Sequence, residues 1–265
     1  MNASLRCVIV GLALAWPGAA CHSILGPRQD DANWRVIDTP RFFLNVRPGS
    51  FAEQNAARIG EVLEDQYDYT TRVLDFRYTG RVSVFLYNSA ADADMEGTSG
   101  RAYPDTEAVR AVCVPPLDGN LFTLVSHELN HVIQQNGIGR PGTFFLGEGL
   151  PSAVLSERFH SDGKTFLYAW TAANDARIPA LSLPVDDDKW DDYDAQTTYN
   201  ASASFLAYLL ETGEPAALKQ LQPVNSGDFQ RRFQEVYGRS LDDAERTWRT
   251  FCAAFRLHFA TTSAQ

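Results

Sequence analysis

Residues 118–137 read DGNLFTLVSHELNHVIQQNG. Asp118 is a capping residue type, Leu121, Leu124, Val125, Leu129, Val132 and Ile133 recur at helical spacing, and Gly137 offers a stop. The spacing therefore predicts a helix from Leu121 to about Asn136 with a buried stripe. His127 and His131 stand four residues apart, so their rings are neighbours on one helix face, with Glu128 beside the first. The pattern is H-E-x-x-H, in which two imidazoles can grip one cation and a carboxylate reaches beside it. Two unpaired histidines on a buried helix would be costly.

Toward the N-terminus the pattern changes from helical to alternating. Segments 34–38, 42–46, 81–87 and 108–114 read as strands, the last stopped by Pro115-Pro116. Ser50-Phe51-Ala52-Glu53 has capping-box spacing, and Ile59, Val62, Leu63, Val73 and Leu74 predict a long helix ending near Phe76. The polar stretch 88–107 reads as a loop. Beyond Glu148 the alternation ceases, and 149–160, 197–212, 226–238 and 241–260 read as helices. The expectation is an α+β fold in one unit over 34–265: a mixed N-terminal sheet with a long helix over about 34–118, the helix at 119–137, and a helical C-terminal lobe over about 148–262.

The 265 residues are 45% hydrophobic and 21% charged, which excludes collagen, disorder and a polytopic membrane protein. The formal charge of -10, with no concentration of basic residues, excludes nucleic acid as an expected partner. Residues 1–20 place Arg6 before the apolar run 7–16 and small residues before Cys21, the order of a secretory signal peptide. That run is shorter than the roughly 20 residues of a membrane span. Cys21 is either a lipidated membrane anchor, as in a bacterial lipobox, or the residue after plain cleavage, with 21–33 as a tether. Both predict a protein of the bacterial envelope or its exterior. Cys113 and Cys252 form either one disulfide or two buried thiols.

A catalytic zinc takes three protein ligands and keeps one open position. Glu148 is the candidate third ligand: an acid between glycines in an apolar stretch, with Gly137, Gly139 and Pro141-Gly142 allowing the chain to turn back. Six aspartates fall in 186–194, but the run lacks the glycine and final glutamate of an EF-hand loop and reads as solvated.

On these residues the chain resembles the gluzincin metallopeptidases, the thermolysin-like and aminopeptidase-like clan, and most closely the small bacterial envelope peptidases described as peptidase MA-like. The resemblance rests on His127-Glu128-x-x-His131, Pro141, Phe144-Phe145 and Glu148-Gly149, and extends loosely to Tyr199-Asn200-Ala201-Ser202 and Tyr237-Gly238. It implies a zincin-like fold, a peptide or protein substrate, Zn2+ held by His127, His131 and Glu148, and Glu128 as general base. It also implies an oxyanion partner from the helical lobe, for which Tyr199 is the candidate and His160 and His258 are alternatives. The segment 109–113 would be the edge strand along which an extended peptide pairs, unless it is an interior strand. Phe145 replaces the family's usual Trp, and Pro151 its Ala, which implies a helix starting at or just before Glu148. Two rival readings are a non-catalytic zinc-binding envelope lipoprotein and a zinc amidase acting on cell-wall material; retention of Glu128 beside both histidines argues against a decayed site.

Overall fold

The computed structural model describes residues 33–95, 97–160 and 163–262, with side chains to residue 255. The expected leader, the Cys21 anchor and the tether to residue 32 lie outside these. A five-stranded mixed sheet is followed by helices, as the patterning predicts.

Strands β1 (Arg35–Asp38), β2 (Phe42–Val46), β3 (Val82–Tyr87), β4 (Gly100–Tyr103) and β5 (Ala108–Val112) lie in the order β1-β2-β3-β5-β4. The central pairs β2–β3 and β3–β5 are parallel, and both outer pairs are antiparallel. Segment 109–113 is therefore interior and not an edge. The edge beside it is β4, inside the stretch whose polarity predicts a loop. Of its four residues only Tyr103 favours a strand, and pairing with β5 supplies the order instead.

Alternation aims Phe42, Leu44, Val46, Val82, Val84, Leu86, Val109 and Ala111 at one face. There they meet α2 (Ala56–Val73) and α3 (Gly119–Ile138) through Ile59, Leu63, Leu121, Val125, Leu129, Val132 and Ile133. Each of these side chains larger than alanine, once buried, contributes about 1.5–3 kcal/mol. Trp34, Phe85, Tyr87, Met95 and Ala108 form a smaller core on the opposite face.

The expected long helix is broken. A short α1 (Phe51–Gln54) is capped by Ser50, and Asn55 interrupts the run by donating its side-chain amide to the Phe51 carbonyl at 2.8 Å. Helix α3 is capped by Asp118, which accepts from the Asn120 and Leu121 amides at 3.0 and 3.2 Å. It runs past Gly137 to Gly139, which takes the positive φ of 104°. Gly137 is there for contact: a β-carbon would stand 2.1 Å from the Phe76 ring.

The C-terminal half comprises α4 (Phe144–Ala153), α5 (Lys164–Asn174), α6 (Ala195–Thr212), α7 (Pro215–Leu221), α8 (Ser226–Tyr237) and α9 (Leu241–Thr262). Helices α5 and α7 fall where no helix is predicted, and the segment read as helix over 149–160 leaves the helix after Ala153. Their core is aromatic, with Phe145, Phe205, Phe229, Phe233 and Trp248 fully buried. Cys113 belongs to the sheet core and Cys252 to this one; both are buried free thiols, so the disulfide alternative is not realised. Among the described residues no helix is long and apolar enough to cross a membrane.

Candidate metal centre

One helical turn brings His127 and His131 together on α3, with their Nε2 atoms 3.0 Å apart and the rings nearly perpendicular. Glu148 reaches them from α4, its Oε2 lying 3.4 Å from His127 Nε2 and 3.6 Å from His131 Nε2. The three side chains retain 12%, 19% and 10% exposure, so the group is largely enclosed but not sealed from solvent. Together they form a cluster that could hold a metal ion.

Helix α4 begins earlier than Pro151 alone implies. Thr143 caps it by accepting from the Leu146 amide at 3.2 Å, and Asp187 accepts from the Phe144 amide at 2.8 Å. Pro151 sits inside the last turn, where the N–H it lacks costs a single helical bond. Gly149 lets α4 settle on α6, since a β-carbon there would meet Ser202 at 2.8 Å. Ser152 Oγ lies 3.0 Å from His127 Nδ1, so α4 supplies one donor of the triad and also orients another.

Glu128 is 6% exposed and faces strand β4. The Ala102 N–H points off the sheet edge and donates to its carboxylate. Burial pushes the Glu128 carboxyl up to about 7; the nearby Glu148 charge adds to this, while His127 and Arg101 oppose it. Glu148 behaves oppositely. Burial would raise it, but the charges and hydrogen bonds of His131 and His127 outweigh that and hold it far below the usual carboxylate range.

Tyr199, on the first turns of α6, sends its hydroxyl to the Glu148 carboxylate, and burial together with that negative charge pushes its phenol upward. Trp190 packs on its ring at 5.6 Å. His160 is buried and held by the Ser156 and Phe122 carbonyls and by Ser126 Oγ, and it is not part of the metal-ligand cluster. The side chain of His258 lies outside the described residues. The acidic run is more than a solvated loop, because Asp186 caps a 3-10 turn at Asp187–Asp192, Asp187 holds α4 and Asp194 caps α6.

Sequence reasoning assembles His127, Glu128, His131, Glu148 and Tyr199, and the fold brings all five together. It misses Gly100, Ala102 and Ser152. No local signal marks the first two, because their part depends on β4 lying against α3. Ser152 carries one: it follows Glu148 by four residues and therefore shares its helix face. No protein-family model and no curated protein matches this chain.

Proposed function

We propose that the chain is a zinc-dependent peptidase of the bacterial cell envelope with a zincin-like fold. The observation that carries this reading is the donor triangle of 3.0, 3.4 and 3.6 Å with a buried carboxylate, Glu128, beside it. Donors bonded to zinc at about 2.0–2.2 Å in a tetrahedron stand about 3.3–3.6 Å apart; both histidine–Glu148 separations match this, the 3.0 Å between the histidines is a few tenths short, and three such ligands would leave a fourth position free.

Zinc would supply Lewis acidity, lowering the pKa of a water to about 7 and polarising the substrate carbonyl. The protein's part is proton handling and alignment. Glu128, buried beside the triad, would take a proton from the attacking water and return it to the leaving nitrogen. The Ala102 amide orients that carboxylate. The Tyr199 hydroxyl, kept protonated, would serve as donor for the developing oxyanion by turning its one proton away from Glu148. An extended peptide could not pair along β5, which is interior, and on the outer strand β4 the outward Ala102 N–H is already taken by Glu128. The envelope location rests on the leader read in residues 1–20.

The test is the zinc-to-protein ratio of the purified chain, with His131→Ala in parallel, followed by peptide hydrolysis with and without Glu128→Gln. One zinc per chain, lost in His131→Ala, and hydrolysis abolished by Glu128→Gln with zinc retained, is the expected result. A well-folded chain that takes up no zinc after resupply overturns the reading.

A further inference from the structure

Asn130, the residue between Leu129 and His131, is fully buried, as are Gln66 and Thr70 on α2. Their hydrogen bonds go to one another and to the chain that follows Glu148. Asn130 Nδ2 donates to the Pro151 carbonyl at 2.7 Å, and Thr70 Oγ1 donates to Asn130 Oδ1 at 2.8 Å. Gln66 Nε2 lies 3.2 Å from the same oxygen and 2.7 Å from the Val154 carbonyl, while Gln66 Oε1 accepts from the Ser156 amide at 3.0 Å. None of these side-chain atoms is left without a partner.

Three apolar side chains would fill this space without the desolvation that buried amides and hydroxyls incur. What the polar set adds is direction. It spans three elements, joining α2 to the middle of the H-E-x-x-H segment and both to the end of α4. On α4 it grips the Pro151 carbonyl, in the turn where proline removes an internal helix bond. Glu148 lies one turn before that point, and His131 directly follows Asn130. A shift of α4 against α3 would change the separation of these two donors, and the network opposes that shift.

We propose that Gln66, Thr70 and Asn130 are positioning residues that set Glu148 against His127 and His131, so that α2, which contributes no donor, governs how tightly the centre holds its metal. The inference rests on the triad being a metal site. A network of this kind acts on affinity and coordination geometry, and these can be read without any turnover assay.

The experiment titrates zinc, and separately Co2+, into the chelator-stripped full chain and into Thr70→Val and Gln66→Met. Thr171→Val serves as control: its hydroxyl donates to Ser204 at 2.8 Å in the helical core, so the same oxygen is deleted away from the network. The expected result is that both α2 variants keep wild-type circular dichroism, bind zinc about tenfold or more weakly, and alter the visible spectrum of bound cobalt, while Thr171→Val binds as wild type. Wild-type affinity and spectrum in the α2 variants, or a loss no larger than that of Thr171→Val, overturns the proposal. Should Gln66→Met fail to fold, Thr70→Val, which exchanges a single hydroxyl for a methyl, decides alone. Absence of zinc binding in the wild type overturns the metal reading itself and is distinguished by that first titration.

Discussion

Gly100 and Glu128 stand so close that a β-carbon on the glycine would lie 2.8 Å from Glu128 Oε1 and 2.9 Å from its Cγ. The edge strand thus fits against the carboxylate only because one side chain is missing. Gly100→Ala is expected to displace Glu128 and to lower kcat/KM for peptide hydrolysis at least tenfold, with zinc stoichiometry unchanged. Overpacking of this kind costs about 1–3 kcal/mol of stability. Denaturant unfolding, metal analysis and kinetics on one preparation check all three outcomes, and full activity would show that Glu128 needs no fixed pose.

The metal-free chain should lose stability as pH rises through a window set by Glu128. Its carboxyl is raised from 4.5 to about 7 by burial, so between those values the folded chain binds more protons than the unfolded one. Stability contributed by the protonated acid is present below about 4.5 and lost as pH climbs toward 7, amounting to about 3 kcal/mol. Glu148 has the opposite sign, its contribution being present above 4.5 and lost below it. Urea unfolding of wild type and Glu128→Gln across pH 4 to 8 should converge at the acid end and diverge toward neutrality, with the variant the more stable.

Tyr199→Phe removes the hydroxyl that meets Glu148 and leaves the Trp190 contact in place. As the oxyanion donor, its loss should lower kcat by about 10²–10³, beyond the roughly tenfold fall in zinc affinity that losing its bond to Glu148 would bring. A fall in zinc affinity with kcat preserved would instead make Tyr199 a support for Glu148.

Ser152 lies 3.0 Å from His127 Nδ1, so Ser152→Ala frees that ring to turn. Zinc affinity is expected to fall about tenfold, measured by competition with a chromophoric chelator. Unchanged affinity would mean the ring is held by α3 alone.

Asp188, Asp191 and Asp192 remain exposed in the acidic run, and the Asp191 charge is felt at Tyr199. A Lys-rich peptide should therefore be turned over faster than a Glu-rich one at low salt, with the difference shrinking as ionic strength rises. Equal turnover at low salt would remove any role for this rim in selection.

Helix α3 is legible because Asp118 and a 3.6-residue stripe are local signals, and the histidine spacing follows from the same periodicity. Glu148 is legible because a glycine-flanked acid in an apolar stretch needs a reason to be there. Strand β4 is not, since Gly-Arg-Ala-Tyr becomes a strand only through β5. Gly137 misleads for a related reason: a glycine that admits the Phe76 ring and one that ends a helix look alike in sequence. Nor do Gln66 and Thr70 announce themselves on α2, because their partners outside that helix lie sixty or more positions away.

Cys113 and Cys252, buried in different cores, give the molecule two built-in reporters of local opening. Burial pushes each thiol up to about 12, so neither reacts until its surroundings part. With Cys7 and Cys21 replaced, alkylation timed in dilute denaturant would reveal whether the sheet and the helical half come apart together or in sequence. A metal ion joining α3 to α4 would couple the two labelling rates, and its removal would separate them.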